Sequence, residues 1–570
     1  MLRRLLQQLL GAPVASREEL LARGRAERER GELAAALATL EAALRSHAGD
    51  AALLAELGLC YRALGRRPAA RAALERAAEH APGSVLPLLY LGNLAHEEGR
   101  LDDALAAYRA ALAVEPHNAA LHYNLALTLL SCGEAAEAVA AFRACLADAP
   151  EYADARASLL FALNLSDRAE AAGTAAEHFE WGRRIADPLW RERAFLNPRE
   201  PQRRLRIGYV SADFFGHAAA DFIHPFLQQH RRALFEISCY SNAPLPEAGR
   251  AMYGHSWRDI SALDDAQAAS LIEADAIDIL VDLSGHTRGN RLLLFARRPA
   301  PLQLTFLGYP NTTGMRAMDY RLSDACADPP GASERRYRER LLRLPHSLWC
   351  YRPPQEDAAG AGALPALRKG HITFASMNNI AKLNPALIGL WAELLLQVKD
   401  AQLLLATIPP GKARERLLRL FADKGVDARR IAFSERLPKG EFHALHREID
   451  IALDAYPCNG GATTCETLWL GVPVVSLAGE EFRSRAGLSL LSALGLPQLA
   501  ARNAAEYRAI AAGLAANLGE LQRLRASLRD TMRSSPLCDA AAYTGALEDI
   551  YRGIWCEWCG RPAERSGSRP

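Results

Sequence analysis

The sequence predicts an α-solenoid followed by two doubly wound α/β units, and three observations support this. Glycine and proline recur every 34 residues through the first third of the chain. From residue 205 onward, short β-branched runs alternate with helical segments, which is typical of a parallel sheet covered by helices. A Pro- and Gly-rich interval at residues 353–370 divides these segments into two groups. At 570 residues the chain is too long for a single core.

The 34-residue period marks a helical repeat. Its recurring positions are a glycine (Gly31, Gly65, Gly99, Gly133), an alanine five places later (Ala36, Ala70, Ala104, Ala138), a bulky residue nine places after the glycine (Leu40, Leu74, Tyr108, Phe142) and a proline (Pro82, Pro116, Pro150). The glycine turns the chain, the alanine lets paired helices approach, and the proline closes the second helix. This is the tetratricopeptide pattern. Stacked repeats form a concave groove, so we expect an extended protein or peptide segment to bind there.

The net charge, the apolar runs and the cysteine content limit the classes of protein to which the chain can belong. The formal net charge is +2, which does not indicate a surface that binds nucleic acid or a membrane. The sequence contains no run of eighteen apolar residues, so it predicts no segment that spans a bilayer. Eleven cysteines without a framework of spacings predict reduced thiols and a cytoplasmic location. Cys556 and Cys559 form a CxxC, but two of the four ligands of a structural zinc are missing, so we interpret them as plain thiols. Residues 1–15 are interpreted as a capping helix, with an export signal as the alternative.

The domain boundaries follow from these patterns. Residues 161–204 stay helical but lose the repeat, and their aromatic residues predict an apolar surface that docks the repeats on the next domain, with a ligand cage as the alternative. Those aromatic residues are Phe179, Trp181, Trp190 and Phe195. The predicted order is a repeat array (1–160), a helical linker (161–204), a Rossmann-like domain (205–352), a linker (353–370), a second Rossmann-like domain (371–555) and a tail (556–570).

The stretch from Asp450 to Gly479 carries the strongest chemical signal. Apolar residues from 451 to 453 predict a buried strand, a Gly-Gly loop follows, and a helix is expected from Ala462 to Leu470. The free N–H groups at such a helix start bind anions, whereas Glu466, one turn further on, can accept hydrogen bonds from ribose hydroxyls. The combination predicts a nucleotide-sugar site at the carboxyl ends of the strands. The alternative is an ordinary turn with an exposed glutamate.

Five motifs resemble the protein O-linked N-acetylglucosamine transferase family (glycosyltransferase family 41), including its bacterial and plant SPINDLY-type members. They are GYVSADFFGH, LSGHTRGN, RRPAPLQLTFLGYPNTTG, MNNIAK and CNGGATTCETLWLGVP, and the resemblance extends from about Gly31 to about Arg552. It implies a GT-B fold and inverting transfer of N-acetylglucosamine from UDP-GlcNAc to Ser and Thr hydroxyls of proteins, without a metal or other cofactor. The interval between the two halves is short, so the large intervening domain of the animal enzymes is absent.

The resemblance assigns two catalytic residues. It makes Lys382 the lysine that meets the donor diphosphate, where a fixed ammonium supplies the positive charge that Mg²⁺ supplies elsewhere. A solvated loop lysine is the alternative. His217 is expected near a helix start, where the dipole keeps its imidazole neutral, so that it accepts the hydroxyl proton or orients the acceptor. A helix-capping histidine is the alternative.

The resemblance also implies the donor-binding residues. Lys439 and Glu466 are expected to bind the ribose, while His286 shapes the sugar or acceptor pocket or is a structural histidine bonded to the backbone. The remaining donor-binding positions are Asn379, Gly460, Gly461, Ala462, Thr463, Thr464 and Pro310.

Several positions depart from the animal pattern. Phe442 replaces the base-stacking histidine, with His443 beside it, and Gly461 replaces the histidine after the CNG motif. Ser270 and Glu273 replace an aspartate and a histidine, so a general base cannot be carried over. Three other functions are alternatives: a GDP-fucose-dependent protein O-fucosyltransferase of the SPINDLY type, a repeat scaffold without turnover, and a nucleotide-sugar epimerase, which the peptide-sized groove disfavours.

Overall fold

The computed structural model describes residues 15–249, 251–354 and 362–560. The chain forms two compact units, Met1–Ala155 and Arg156–Pro570. Nearly all of the predicted capping helix, the middle of the predicted interdomain linker and the last ten residues lie outside the described residues. Within the described ranges, none of the helices combines the length and the apolar character needed to cross a bilayer.

The first unit is a series of antiparallel helix hairpins, as the repeat predicted. The helices are α1 (Arg17–Glu29), α2 (Leu33–Ser46), α3 (Ala51–Ala63), α4 (Arg67–His80), α5 (Val85–Glu97), α6 (Leu101–Val114), α7 (Ala119–Ser131) and α8 (Ala135–Asp148), and α9 (Ala153–Leu165) begins at the end of the unit. The four periodic glycines sit at the hairpin turns with φ between +71° and +83°. This left-handed backbone favours glycine, which explains the period.

Close helix approach inside three of the four hairpins, α1–α2, α3–α4 and α5–α6, depends on a second set of glycines. A Cβ atom on Gly58 would lie 2.7 Å from Leu74, and one on Gly92 would lie 2.5 Å from Tyr108. Gly24 meets Leu40 in the same way. The bulky periodic residues therefore fill the space that a missing side chain leaves on the partner helix.

The first sheet of the second unit has seven parallel strands. They are β1 (Leu205–Ser211), β2 (Phe235–Ser241), β3 (Ser256–Asp259), β4 (Ile279–Asp282), β5 (Leu302–Thr305), β6 (Tyr320–Asp324) and β7 (Arg340–Leu344), in the order β3-β2-β1-β4-β5-β6-β7. Buried aliphatic and aromatic side chains on both faces give the near-continuous apolar runs of a covered parallel sheet. The order reverses between β1 and β4, which makes this pair the topological switch point.

The second sheet repeats this plan with six parallel strands. They are β8 (Thr373–Ser376), β9 (Gln402–Leu405), β10 (Ile431–Phe433), β11 (Ile451–Leu453), β12 (Val474–Leu477) and β13 (Ala500–Ala501), in the order β10-β9-β8-β11-β12-β13. Its switch point lies between β8 and β11. The predicted pair of Rossmann-like domains is therefore confirmed.

Helices cover both sheets and lead into them. They are α10 (Ala171–Trp181), α11 (Ala220–Gln229), α12 (Asp265–Ala274), α13 (Leu292–Ala296), α14 (Pro365–Lys369), α15 (Pro385–Gln397), α16 (Lys412–Ala422), α17 (Lys439–Leu445), α18 (Ala462–Trp469), α19 (Ala486–Ala493), α20 (Ala504–Ala516), α21 (Leu518–Arg533) and α22 (Ala540–Gly560). The predicted start of the tail, residue 556, falls inside α22. Cys556 and Cys559 thus lie on a helix, and all eleven cysteines are free thiols.

The aromatic residues of the helical linker pack on the first Rossmann-like domain. The ring of Trp181 contacts His286 edge to face at 4.5 Å between centroids. The guanidinium of Arg316 lies 4.0 Å from the centroid of Trp190. Trp181 is 4% exposed, so it packs inside the second unit and does not line an open ligand cage, while docking of the repeats by these residues stays a prediction.

Candidate active site

Both switch points carry the residues that the sequence analysis singled out. His217 follows β1 and His286 follows β4 in the first sheet, while Lys382 follows β8 in the second. The 454–461 loop and α18 follow β11, the neighbour of β8. In doubly wound folds ligands bind outside the carboxyl ends of strands at such switch points, because the diverging connections leave a crevice there.

Asp454 holds the loop between β11 and α18 in place. Its carboxylate accepts hydrogen bonds from the backbone N–H of Gly460 (2.7 Å) and Ala455 (2.9 Å) and from the hydroxyl of Ser476 (2.8 Å). The side chain is fully buried, and burial raises its pKa, while the Gly460 N–H and nearby Lys382 act in the opposite direction. The loop therefore folds back on a single carboxylate.

Lys382 reaches this loop from the neighbouring strand. Its ammonium Nζ donates to the backbone carbonyl of Asn459 at 2.7 Å, directly before Gly460. Lys382 ends a short 3-10 turn, Ile380–Lys382, which the side chain of Asn379 caps by accepting from the N–H of Ala381. Asn379 itself is exposed. Lys382 and the Gly-Gly loop therefore lie close together, as predicted.

The first turn of α18 has no side-chain cap. Its first intrahelical bond runs from the N–H of Cys465 to the carbonyl of Gly461, so the N–H groups of residues 462–464 precede the helical ladder. Thr464 is buried and Thr463 is half-buried, and the threonines line a small cavity with Asn378 and Asp454. A Cβ on Gly460 would lie 2.3 Å from Thr464 Oγ1, so only glycine fits there.

Gly461 and Ala462 mark the point where the two Rossmann-like domains meet. A Cβ on Gly461 would lie 3.4 Å from the ring of Trp349, which follows β7 of the first domain. Ala462 is half-buried and packs against the hydrophobic core that both domains share. The Ser489 hydroxyl also donates to Asp324 across the same boundary at 2.6 Å. The start of α18 is thus enclosed by the first domain.

Glu466 lies one turn into α18 and is bound to His443 of α17. The distance between His443 Nε2 and Glu466 Oε1 is 2.5 Å, and the side chains are 12% and 22% exposed. Lys439 is exposed at the first residue of α17. Phe442, in the place of the family's base-stacking histidine, packs edge to face on His446.

His217 lies on the other sheet, in the loop between β1 and α11. The backbone N–H of Ala219 donates to His217 Nδ1 (3.2 Å), and Asp213 Oδ1 lies 3.7 Å from the same atom. Burial raises the pKa of the Asp213 carboxyl. Because Nδ1 accepts a hydrogen bond, the neutral ring carries its proton on Nε2. The imidazole is largely exposed, so this Nε2–H is available to a ligand.

His286 and Pro310 have enclosed surroundings. His286 is buried, its Nε2 donates to the Thr313 carbonyl (2.9 Å), and burial lowers its pKa to about 4. These are the surroundings of a structural histidine, the alternative that the sequence analysis left open. Pro310 is half-buried in a loop that Arg321 fixes through the carbonyls of Tyr309 and Asn311. Contact of either residue with a donor stays a prediction.

Arg483 connects the loop between β11 and α18 to the helical linker. Its guanidinium donates to the carbonyl of Leu163 (2.7 Å) in the last turn of α9 and to that of Ala169 (2.9 Å) in the loop that follows. Its own carbonyl accepts from the N–H of Asn459 (2.8 Å), the residue whose carbonyl binds Lys382. A buried arginine thus stabilises the carboxyl end of a helix and the loop of the candidate site together.

Sequence reasoning missed four residues of this site: Asn378, His443, Asp454 and Asn459. Asp454 ends an apolar strand just before the loop, which is a signal that could have found it. The partnership of His443 with Glu466 had no such signal, because the two residues are 23 positions apart on different helices. Among the described residues, no three His, Cys, Asp or Glu side chains are arranged to hold a metal ion, and metal-independent transfer stays a prediction.

The chain has tetratricopeptide hairpins followed by two Rossmann-like domains that meet at this crevice. This is the architecture of GT-B glycosyltransferases. The family model for glycosyl transferase family 41 matches residues 158–351 and 361–547, and tetratricopeptide models match residues 27–87, 92–131 and 119–152. The chain belongs to glycosyl transferase family 41.

Named relatives agree with this assignment. A Petunia hybrida protein named probable UDP-N-acetylglucosamine–peptide N-acetylglucosaminyltransferase SPINDLY is 38% identical over 392 residues, 67% of this chain and 42% of the relative. A Caenorhabditis elegans UDP-N-acetylglucosamine–peptide N-acetylglucosaminyltransferase is 26% identical over 470 residues, 62% of this chain and 41% of the relative. A mutant Thermobaculum terrenum O-GlcNAc transferase structure superposes with a TM-score of 0.80 at 37% identity, covering 89% of this chain and 97% of that one. The chain spans less than half the length of the curated relatives it matches.

Proposed function

We propose that this chain transfers N-acetylglucosamine from UDP-GlcNAc to Ser and Thr hydroxyls of proteins, with inversion and without a metal. The observation that carries the proposal is the position of the Lys382 ammonium, which lies 2.7 Å from the carbonyl of Asn459. Asn459 belongs to the loop that leads into the uncapped start of α18. A cation and free helix N–H groups at one point form a diphosphate site. The names of the relatives supply the sugar and the acceptor class.

The leaving group determines the chemistry on the donor side. When the bond between the sugar C1 and the diphosphate oxygen breaks, that oxygen gains negative charge. Lys382 moves from the Asn459 carbonyl to the diphosphate and stabilises this charge together with the N–H groups of residues 462–464. The Thr464 hydroxyl is positioned to add a hydrogen bond, while Glu466 and Lys439 bind the ribose.

His217 acts on the acceptor side as a hydrogen-bond donor. Because the Ala219 N–H occupies Nδ1, the Nε2–H of the neutral ring donates to a substrate oxygen and orients it. This favours the orienting role over proton abstraction, which needs a free ring lone pair facing the hydroxyl. The attacking hydroxyl oxygen bonds to the sugar C1 as the bond from C1 to the diphosphate oxygen breaks, and its proton passes to the surrounding water. The repeat groove holds the extended acceptor segment.

Substitution of Lys382 tests the proposal. We expect Lys382→Ala to lower the turnover of radiolabelled UDP-GlcNAc on cell-lysate proteins at least about 100-fold, as removal of a single charge-stabilising donor does elsewhere. The melting temperature should fall only slightly, because the loop keeps its bonds to Asp454, although the favourable charge interaction of Lys382 with that carboxylate is lost.

Lys399→Ala is the matched control, because Lys399 is exposed in the turn after α15 of the same domain. It should retain full turnover. Equal turnover in the two variants would refute the role of Lys382 in leaving-group stabilisation.

Calorimetric titration of the wild-type chain with UDP and with GDP tests which nucleotide the site binds. Tighter binding of GDP than of UDP would refute UDP-GlcNAc as the donor.

A further inference from the structure

We propose that His443 is a positioning residue for donor recognition: its Nε2–H holds the carboxylate of Glu466 in the orientation that binds the ribose hydroxyls. The inference rests on the proposed function, because it assigns the ribose to Glu466. It goes further by adding a residue on a second helix, 23 positions away in the sequence.

The contact between the two side chains is short and shielded. His443 Nε2 lies 2.5 Å from Glu466 Oε1, with 12% and 22% of the side chains exposed. Hydrogen bonds to an ionised partner are shorter and stronger than those between neutral groups. A carboxylate that makes such a bond in a half-buried place is held in one rotamer, whereas an unbound glutamate would sample several.

The bond leaves enough capacity for a ribose. A carboxylate offers about four acceptor positions on two oxygens, and His443 occupies one of them on Oε1. Oε2 and the second position of Oε1 can still accept from two vicinal hydroxyls. Without His443, the glutamate side chain would lose conformational entropy when the ribose binds. That cost would reduce the binding free energy gained from the two hydroxyl bonds.

The position of α17 does not depend on His443. His446, one turn later, is buried and contacts the Thr467 hydroxyl of α18 at 3.3 Å, and its Nδ1 donates to the Phe442 carbonyl at 2.9 Å. These contacts join α17 to α18 independently. A substitution at His443 should therefore change the carboxylate of Glu466 without displacing the helix.

The experiment compares UDP with 2′,3′-dideoxy-UDP by calorimetry on the full chain. We expect the wild-type chain to bind UDP about 10-fold to 100-fold more tightly than the analogue, because hydroxyl bonds to a charged acceptor are strong. In His443→Leu this ratio should fall to about 5-fold or less, because the carboxylate loses its fixed orientation. His443→Gln should restore most of the ratio, since its amide N–H can donate from a similar position.

Two further variants separate the possible outcomes. Glu441→Gln, an exposed change on α17, should leave the ratio unchanged. If Glu466→Gln lowers the ratio but His443→Leu does not, the role of His443 is refuted while the ribose role of Glu466 stands. If Glu466→Gln leaves the ratio unchanged, the proposed ribose site fails and the inference fails with it. Equal losses in His443→Leu and His443→Gln would overturn the hydrogen-bond explanation.

Discussion

Single side chains in this protein show how far residue type alone predicts a role. The position of Glu466 one turn into a helix could be predicted from the sequence, because helix geometry fixes which atoms lie one turn apart, whereas its contact with a ribose stays a prediction. Asp454 and Asn459 could not be assigned in this way. Their roles arise from bonds to Gly460 and Lys382, which the fold brings together from two strands.

His286 supports a prediction about pH. Burial lowers the pKa of this imidazole to about 4, below its ordinary 6.5. Between these values the unfolded chain binds a proton that the folded chain does not, so the folded state loses stability as the pH falls through this window. In His286→Gln the free energy of unfolding should fall less steeply with acidification, by up to about 1.4 kcal/mol per pH unit.

Urea unfolding followed by tryptophan fluorescence measures this slope. All eight tryptophans lie between residues 181 and 558, so the signal reports the second unit alone. His346→Gln, at an exposed position, is the control and should keep the wild-type slope. A slope in His286→Gln equal to that of wild type would contradict the buried neutral state of His286.

At the scale of elements, the hairpins depend on close helix approach. A Cβ on Gly92 would lie 2.5 Å from the ring of Tyr108, so Gly92→Ala must displace that ring. We expect a loss of about 1–3 kcal/mol, the usual effect of overpacking. Native-state hydrogen exchange of the α5 and α6 amides should become faster accordingly.

Gly83→Ala provides the matched comparison for Gly92→Ala. A Cβ at Gly83 meets nothing within 4 Å, so this substitution should be neutral or slightly stabilising. Equal exchange rates in the two variants would show that the Gly92 contact does not limit helix approach.

The bounds of helices and strands also show where local sequence patterns fail to predict the structure. The strand predicted at residues 451–453 was found as β11, and the helix predicted from Ala462 ends at Trp469, one residue early. The helix α11 ends at Gln229. The ring of His230, directly after this helix, bonds Glu548 of α22 at 3.0 Å, a partner that local sequence could not indicate.

The edge strand β7 could not be predicted from its own residues. The strand β7 has the sequence RLLRL, whose charge spacing shows no strand alternation. Arg340 and Arg343 find carboxylates outside the strand, in Glu557 and Glu334. Pairing with β6 decides the conformation of this segment, because edge strands depend on their neighbour more than on propensity.

At the scale of the whole molecule, the last helix completes the first domain. Glu548 of α22 binds His230 and Arg231, and α22 contributes six buried apolar residues: Tyr543, Leu547, Tyr551, Ile554, Trp555 and Trp558. Together they contribute on the order of 10 kcal/mol by burial, which matches the net stability of a typical domain. A chain ending at residue 539 should therefore be insoluble.

A chain ending at Gly560 is the control for this truncation and should be soluble with wild-type tryptophan fluorescence, because it keeps all of α22. The measurement is the soluble fraction after expression, followed by the fluorescence maximum. A folded chain of 539 residues would contradict the role of α22 in the first domain.

The sequence by itself determined the repeats, the two Rossmann-like domains and the approximate positions of Lys382, Glu466 and the Gly-Gly loop. These follow from local periodicity, from glycine's freedom at positive φ and from motif spacing, all of which act over short stretches of chain. The tertiary structure alone decided the carboxylate that shapes the loop, the histidine that binds Glu466, and the return of α22 to the first domain. Those depend on contacts between distant segments, whose geometry only the packed core fixes.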